Sequence, residues 1–163
     1  MDVLNHGDYW TNNILFRCDN EGNICQTKLI DFQLVVYGTY VIDLHYFTWS
    51  SISPCVRKQR LDELYSIYLE TWNNSLERYG CEERISVEDF KIEMEATLLY
   101  GFFIVFCPLN ILYSELEKDS ISNGVEKSLH SPFAQPSYRK TCEEILECLE
   151  QREIFKNILE NYC

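Results

Sequence analysis

The chain begins with short apolar segments separated by polar residues. Further along, the apolar residues recur at the wider spacing that is typical of helices. Val3-Leu4 predicts a short strand, and two apolar-rich segments follow at residues 13–16 and 27–30. The polar stretch between them, 19–23, contains Gly22. A polar, glycine-containing stretch between two apolar segments is typical of a β-hairpin. The pattern therefore predicts a short strand followed by a hairpin.

Beyond Gly38 the apolar residues recur at helical spacing. The predicted helical segments are 44–51, 56–79, 86–107 and 138–161. Gly80 and Pro108 are typical of helix ends, and Ser86 followed by Asp89 is typical of a helix start. Residues 119–137, rich in Ser, Asn and Pro, predict a linker.

This order of elements predicts an α+β fold that is mainly helical. The 163 residues suffice for one domain with a core and are too few for two. We expect residues 1–36 to form a loop and hairpin, and residues 37–163 to form the helical part. Hydrophobic residues make up 46% and aromatic residues 14%, which indicates a globular chain rather than a disordered one.

Charge and hydropathy narrow the expected partners. The formal net charge is −12, which argues against nucleic acid because phosphate binding needs clustered Lys and Arg. The most apolar run, 98–112, is shorter than the roughly 20 residues that a bilayer requires, and Pro108 and Asn110 interrupt it. We therefore expect no membrane partner and interpret the run as a buried core helix.

The cysteines favour a reducing compartment. Eight of them are scattered along the chain without a C-x-x-C pair or a His at zinc-finger spacing. Several lie on apolar helical patterns, where a free Cys behaves as a small hydrophobe. Residues 1–5 show neither the basic start nor the long apolar run of a signal peptide. These features predict a cytoplasmic protein.

The candidate chemistry lies in residues 6–13, whose H-x-D-x-x-x-x-N spacing is that of a kinase catalytic loop. The predicted hairpin then returns the chain to an Asp-Phe pair at Asp31 and Phe32. Phosphoryl transfer needs an acceptor for the proton of the attacking hydroxyl and oxygen ligands for Mg²⁺. We predict Asp8 as the catalytic acceptor, Asn13 and Asp31 as Mg²⁺ ligands, and ATP as co-substrate.

Neighbouring residues receive supporting roles. His6 is predicted to brace the loop backbone by hydrogen bonding rather than to take part in the chemistry. Tyr9 and Trp10 are candidates for shaping the acceptor-substrate site, and packing against the helices is an equal alternative. The helical aromatic residues are predicted to form a core, with a steroid pocket as the alternative: Trp49, Trp72, Tyr100, Phe102, Phe103 and Phe106.

The sequence resembles the ecdysteroid kinase-like family of arthropods, which is related to choline and aminoglycoside kinases. The resemblance rests on three segments: residues 3–16, residues 29–33 and the Asp-Leu-His-Tyr-Phe stretch at 43–47. It implies a protein-kinase-like fold. It also implies ATP- and Mg²⁺-dependent transfer of phosphate to a hydroxyl of a small molecule, such as an ecdysteroid-like alcohol.

The resemblance also implies roles for individual residues. By position, Asp8 matches the family's catalytic Asp, while Asn13 and Asp31 match its metal ligands. Asp43 matches a buried Asp that braces the catalytic loop. From its own context, Asp43 fits a helix N-cap before Leu44 equally well.

Too few residues precede His6 for a nucleotide-binding lobe. We therefore expect a C-terminal lobe with its N-terminal lobe missing, a fragment with little or no kinase activity alone. Two alternatives stay open. One is a non-catalytic kinase-like protein that binds or regulates a partner through an exposed lobe interface. The other is a metal-dependent hydrolase that uses His6, Asp8, Asp31 and His45.

Overall fold

Two small antiparallel sheets lie on either side of the candidate catalytic loop, residues 6–13. The computed structural model describes residues 1–113, 133, 135–154 and 156. β1 (Asp2–Asn5) pairs with β4 (Val36–Thr39), and β2 (Ile14–Cys18) pairs with β3 (Ile24–Leu29). The predicted strand and the two predicted hairpin segments lie in β1, β2 and β3.

The turn between β2 and β3 is built from local polar contacts. One carboxylate oxygen of Asp19 accepts hydrogen bonds from the backbone N–H groups of Glu21 and Asn23, both at 2.9 Å. Gly22 has a φ of 87°, a left-handed conformation that glycine adopts without strain. The polar stretch recognised in the sequence thus supplies the chemistry of its own turn.

The helices that follow are α1 (Val41–Ser51), α2 (Pro54–Arg78), α3 (Val87–Ala96), α4 (Leu98–Phe106) and α5 (Pro136–Gln151). The predicted N-cap at Ser86 is confirmed, because its hydroxyl accepts a hydrogen bond from the Asp89 N–H at 3.0 Å. Gly80, with a φ of 73°, follows α2 as predicted.

The prediction of one helix over 86–107 is wrong, because the helix breaks at Thr97. α3 and the helical segment that follows it meet at an angle of 47°. The Thr97 hydroxyl donates to the Glu93 carbonyl at 2.6 Å and also contacts Nε2 of His45 at 2.9 Å. A Thr hydroxyl bonded back to the preceding turn bends a helix, and the contact with α1 stabilises the bent form.

Other boundaries also differ from the predictions. α1 begins at Val41, three residues before the predicted start. The backbone is helical again over 108–113, since proline is tolerated in the first turn of a helix. Most of the predicted linker 119–137 lies outside the described residues. So does the end of the last predicted helix beyond residue 156.

Buried apolar residues form two clusters. The first joins Trp49 of α1 to α4 and α5, and its fully buried members include Ile104, Val105, Ile145 and Leu149. The second joins the start of α1 to α2 and α3 through Tyr40, Val41, Leu69, Phe90 and Met94. α1 belongs to both clusters, so the helix that faces the candidate loop is fixed on two sides.

A buried cation connects α2 to α5. The Arg57 side chain is 1% exposed, and its guanidinium forms an ion pair with Glu144 at 2.9 Å. The same group donates to the Thr141 hydroxyl at 2.9 Å and lies 5.0 Å from the ring centroid of Trp49. A buried charge is tolerated only when it is paired and hydrogen-bonded, and Arg57 meets both conditions.

Within the described residues, no single helix has the length and hydropathy to span a bilayer. α3 and the segment Leu98–Tyr113 reach that length and hydropathy only when they are taken together, and they are bent by 47° relative to each other. The cysteines of the same residues are free thiols: Cys18, Cys25, Cys55, Cys81, Cys107, Cys142 and Cys148.

Candidate active site

The loop after β1 depends on a glycine. Gly7 has a φ of 80°, and a Cβ atom added to it would lie 1.9 Å from the backbone oxygen of Leu34. A side chain at this position is therefore excluded both by the backbone conformation and by the turn that precedes β4. Gly7 brings the loop against the chain that leads into β4.

Asp43 fixes the same loop from α1. Its two carboxylate oxygens accept hydrogen bonds from the backbone N–H groups of His6 at 2.7 Å and Gly7 at 2.9 Å. The alternative of a helix N-cap is wrong, since α1 begins at Val41 and Asp43 lies within its first turn. The carboxylate instead bonds the loop, which is the contact that a bracing role requires.

His6 connects the loop to the segment before Asp31. Its Nε2 is 2.8 Å from the carbonyl oxygen of Ile30, and its Nδ1 accepts from the Asp8 N–H at 3.3 Å. A carbonyl oxygen only accepts and a backbone N–H only donates, so the proton of the ring is on Nε2. Both nitrogens are occupied by the backbone, and the ring packs 4.7 Å from that of Phe32.

Asp8 and Asn13 are in direct contact. The Asn13 side-chain nitrogen donates to the backbone oxygen of Asp8 and to its carboxylate, each at 2.9 Å. Asn13 is 7% exposed and ends the short 3₁₀ turn Thr11–Asn13, which places it beside the loop. With its nitrogen committed to Asp8, the amide presents its oxygen as the remaining strong acceptor.

Asp31 is held near Asp8 and Asn13 by a backbone hydrogen bond of the residue before it. The Ile30 N–H donates to the Asn13 carbonyl at 3.0 Å, so Asp31 follows a residue bonded to both Asn13 and His6. The Asp31 side chain is exposed and accepts a bond from Gln33 at 3.3 Å. Its φ of 63° lies in the left-handed region, which costs energy for a residue other than glycine.

Tyr46 is a contact of Asp8 that the sequence reasoning missed. Burial raises the pKa of the Tyr46 hydroxyl, and hydrogen bonding to Asp8 and the charge of Asp8 raise it further. Tyr46 lies one helical turn after Asp43 on α1, so residues three apart reach the loop from one helix face. That spacing was the available signal.

A cavity of about 210 Å³ opens beside Asp8. Trp10, Tyr46 and Ser50 line it together with residues of α4 and of the helical turn 108–113. The Trp10 indole nitrogen is buried and has no hydrogen-bond partner in the described residues. Of the two predicted substrate residues, Trp10 thus lies at this cavity.

Tyr9 and the helical aromatic residues pack against neighbours. The Tyr9 ring lies 5.4 Å from that of Phe47, and burial, followed by the charge of Asp43, raises its pKa. Trp49 belongs to the first cluster, and Phe103 is 50% exposed. The others pack against the two clusters: Trp72, Tyr100, Phe102 and Phe106. None of the six lines the cavity at Asp8.

The side chains available as metal ligands determine which metal ion the site could bind. Within the described residues, no group of three or more His, Cys, Asp or Glu is placed to hold a metal ion. His6 is bonded to backbone groups and His45 to Thr97, which argues against the hydrolase alternative. Mg²⁺ in phosphotransferases needs only one or two protein ligands beside phosphate oxygens and water. The Asn13 amide oxygen and the exposed Asp31 carboxylate fit that smaller set.

An H-x-D-x-x-x-x-N loop between a strand and a bracing helix is the arrangement expected of a kinase-like protein. More particularly, the sequence model of the ecdysteroid kinase-like family matches residues 1–81, and this part of the chain is assigned to that family. The matched range contains every residue predicted for the site. No significant match was found among curated proteins or among solved structures.

Proposed function

We propose that the chain carries the catalytic loop of an ATP- and Mg²⁺-dependent phosphotransferase whose acceptor is a hydroxyl of a small molecule. One contact carries the proposal most directly. The Asn13 amide nitrogen holds both the backbone and the carboxylate of Asp8, each at 2.9 Å. A carboxylate and an amide oxygen are thereby presented from one loop, as phosphoryl transfer to an alcohol requires.

In this proposal Asp8 accepts the hydrogen bond of the attacking hydroxyl and takes its proton as the new oxygen–phosphorus bond forms and the bond from the γ-phosphorus to the ADP oxygen breaks. Asn13 and Tyr46 orient the carboxylate from two sides. Positioning supplies most of the rate in such reactions, since the transition state is loose. Asp43 contributes by fixing the backbone on which Asp8 is carried.

Asn13 and Asp31 would hold the Mg²⁺ ion of the nucleotide. The ion would neutralise the charge that develops on the phosphate oxygens. This requirement is strong in a chain that carries 26 Asp and Glu residues against 14 Lys and Arg. Lys28, Lys58 and Lys91 are all exposed, on β3, α2 and α3.

The nucleotide side of the reaction is proposed to come from outside the described residues. Those residues form only two-stranded sheets, and the one lysine on their strands is Lys28, an exposed residue of β3. We therefore expect the 163-residue chain by itself to turn over ATP at least about 100-fold more slowly than a complete family member. An ATP-turnover assay at saturating Mg²⁺ measures this, and robust turnover by the isolated chain would contradict it.

A chimera tests the function itself. The C-terminal half of an active family member is replaced by this 163-residue chain, and transfer of labelled phosphate from ATP to a panel of alcohols, ecdysteroids included, is measured. We expect transfer to at least one alcohol, and Asp8→Asn to lower kcat by about 10² or more. Asp2→Asn, at an exposed residue of β1, is the matched control. A folded chimera that keeps its rate with Asp8→Asn refutes the assigned role.

Exposed apolar side chains favour a second candidate, non-catalytic binding of a partner protein. Leu4 is 73% exposed, Tyr37 71% and Phe32 56%, and all three lie in or next to the β1–β4 sheet. Contiguous exposed apolar residues are typical of interaction surfaces. If this function is the correct one, Asp8→Asn leaves partner binding unchanged while Tyr37→Glu abolishes it in a pull-down from native extracts.

A further inference from the structure

The cavity beside Asp8 is polar at one end and apolar at the other. Asp8, Tyr46 and Ser50 provide its polar groups. The opposite wall is hydrocarbon from α4 and from the turn after it: Ile104, Pro108, Leu109, Ile111 and Leu112. A molecule that fits this distribution has a hydroxyl at one end and an apolar body at the other.

The charges of the lining argue against an anionic ligand. Among the described residues that line this cavity there is no Lys, Arg or His, and Asp8 is the one carboxyl group. A carboxylate or phosphate entering the cavity would face Asp8 without a counter-charge, which is unfavourable in a partly buried site. An uncharged hydroxyl can donate its hydrogen to Asp8 and accept one in return. The buried Trp10 indole N–H, which has no partner in the described residues, is available at the same cavity.

The volume sets the size of the apolar body. The cavity measures about 210 Å³. An apolar cavity of about 150 Å³ accommodates benzene, whereas sites for drug-sized ligands measure about 300–1,000 Å³. A single ring with a hydroxymethyl group therefore fills this space, and a four-ring body would remain mostly outside it.

We infer that this cavity is the acceptor subsite and that it selects uncharged alcohols whose hydroxyl is carried on a single apolar ring or a branched chain of similar size. The inference rests on the proposed function for the identity of the reacting group. It assigns the walls of α4 and of residues 108–113 a role in substrate selection, outside the range matched by the family model.

Direct binding tests the inference without any nucleotide. Ligand-observed NMR on the full 163-residue chain compares benzyl alcohol, benzoate and a four-ring sterol alcohol. We expect benzyl alcohol to bind, benzoate to bind at least about 10-fold more weakly, and the sterol alcohol to bind no more tightly than benzyl alcohol.

Two isoleucines of similar exposure give a matched pair of variants. Ile111 lines the cavity and is 60% exposed, while Ile92 on α3 is 56% exposed and lies outside it. Ile111→Trp places a larger side chain at the rim and is expected to weaken benzyl alcohol binding about 10-fold or more. Ile92→Trp is expected to leave it unchanged. If circular dichroism shows Ile111→Trp to be unfolded, Leu112→Trp replaces it.

Two results would overturn the inference. Benzyl alcohol binding that is equal in the rim variant and in Ile92→Trp places the alcohol elsewhere. Sterol binding at least 10-fold tighter than that of benzyl alcohol, and sensitive to the rim variant, removes the size limit. Failure of the proposed function is recognised separately, because the chimera would then transfer no phosphate even though benzyl alcohol binds at Ile111 as described.

Discussion

At the scale of single residues, the Asp43 carboxylate receives both hydrogen bonds that the His6-Gly7 backbone donates toward α1. One side chain thus determines how the loop lies on the helix. Asp31 shows the opposite situation, since its exposed carboxylate is carried on a left-handed backbone without a bond to Asp8 or Asn13. Substitutions at these two positions separate the stability of the loop from its chemistry.

Asp43→Asn should destabilise the chain by about 2 kcal/mol, because an amide offers one acceptor oxygen where two N–H groups need one each. The side-chain nitrogen of the Asn would lie opposite one of the two backbone N–H groups, and two hydrogen-bond donors cannot bond to each other. Urea unfolding followed by circular dichroism measures the change in free energy. Asp2→Asn, an exposed carboxylate of β1, should change the free energy of unfolding by less than about 0.5 kcal/mol. Equal effects of the two substitutions would argue against the loop contact.

Asp31→Asn should leave stability within about 0.5 kcal/mol and lower the phosphate-transfer rate of the chimera by about 10² or more. Asn tolerates the left-handed backbone as Asp does, but the substitution removes the charge of the proposed metal ligand. Asp31→Ala should in addition destabilise the chain by about 1 kcal/mol, since Ala disfavours a φ of 63°. An Asn variant with a normal rate at limiting Mg²⁺ would rule out the ligand role.

At the scale of elements, α4 reaches α1 because a glycine lies at their contact. A Cβ atom on Gly101 would be 2.4 Å from the indole nitrogen of Trp49. The break at Thr97 directs α4 onto α1, and the same packing forms one wall of the cavity at Asp8. The shape of the proposed acceptor site is therefore linked to how closely these two helices approach.

Gly101→Ala should destabilise the chain by about 1–3 kcal/mol, although Ala is the better helix former, because the rigid indole must move. Trp49→Phe removes the indole nitrogen, so the double variant should lose less than the sum of the two single losses. Thermal unfolding of all four proteins gives the coupling free energy. Strict additivity would show that the overlap is relieved elsewhere.

At the scale of the whole molecule, one buried imidazole links folding to pH. His45 is 1% exposed, its Nε2 contacts Thr97 at the break between α3 and α4, and burial lowers its pKa to about 4. The unfolded chain, with a His pKa near 6.5, binds this proton more readily than the folded chain does. The stability from neutral His45 is thus complete above pH 6.5 and is lost as pH falls toward 4.

The free energy of unfolding should therefore fall by up to about 3 kcal/mol more in the wild type than in His45→Gln between pH 7 and pH 4. Gln retains a polar contact to Thr97 but has no proton to bind in this range. Urea unfolding at several pH values measures both curves, and the difference between them removes the contribution of surface carboxylates. Parallel curves would show that His45 does not titrate on unfolding.

The features that could be predicted from the sequence are those that depend only on residues close together in the chain. The Asp19 turn, the Ser86 cap and the strand at Val3 follow from neighbouring residues, and each lies where the pattern indicated. The loop spacing also identified Asp8 and Asn13 as a pair, and the two are in contact.

The features that could not be predicted depend on contacts between residues that are distant along the chain. The helix break at Thr97 involves a histidine 52 positions earlier, which helical periodicity does not register. Tyr46 reaches Asp8 only because Asp43, on the same helix, holds the loop. The cavity at Asp8 requires α1 and α4 together, so neither segment alone indicates it.

The pairing of Arg57 with Glu144 has a consequence for shortened forms of this protein. A product that stops before residue 136 would keep all of residues 1–81 and yet lose both the Glu144 carboxylate and the buried apolar side chains that α5 adds to the first cluster. Removing one large apolar side chain from a core costs about 2–5 kcal/mol, against a total of about 5–15 kcal/mol for a typical domain. The C-terminal helix is thus a condition for the integrity of the first half, and alternative transcripts that lack it should yield chains that proteases readily degrade.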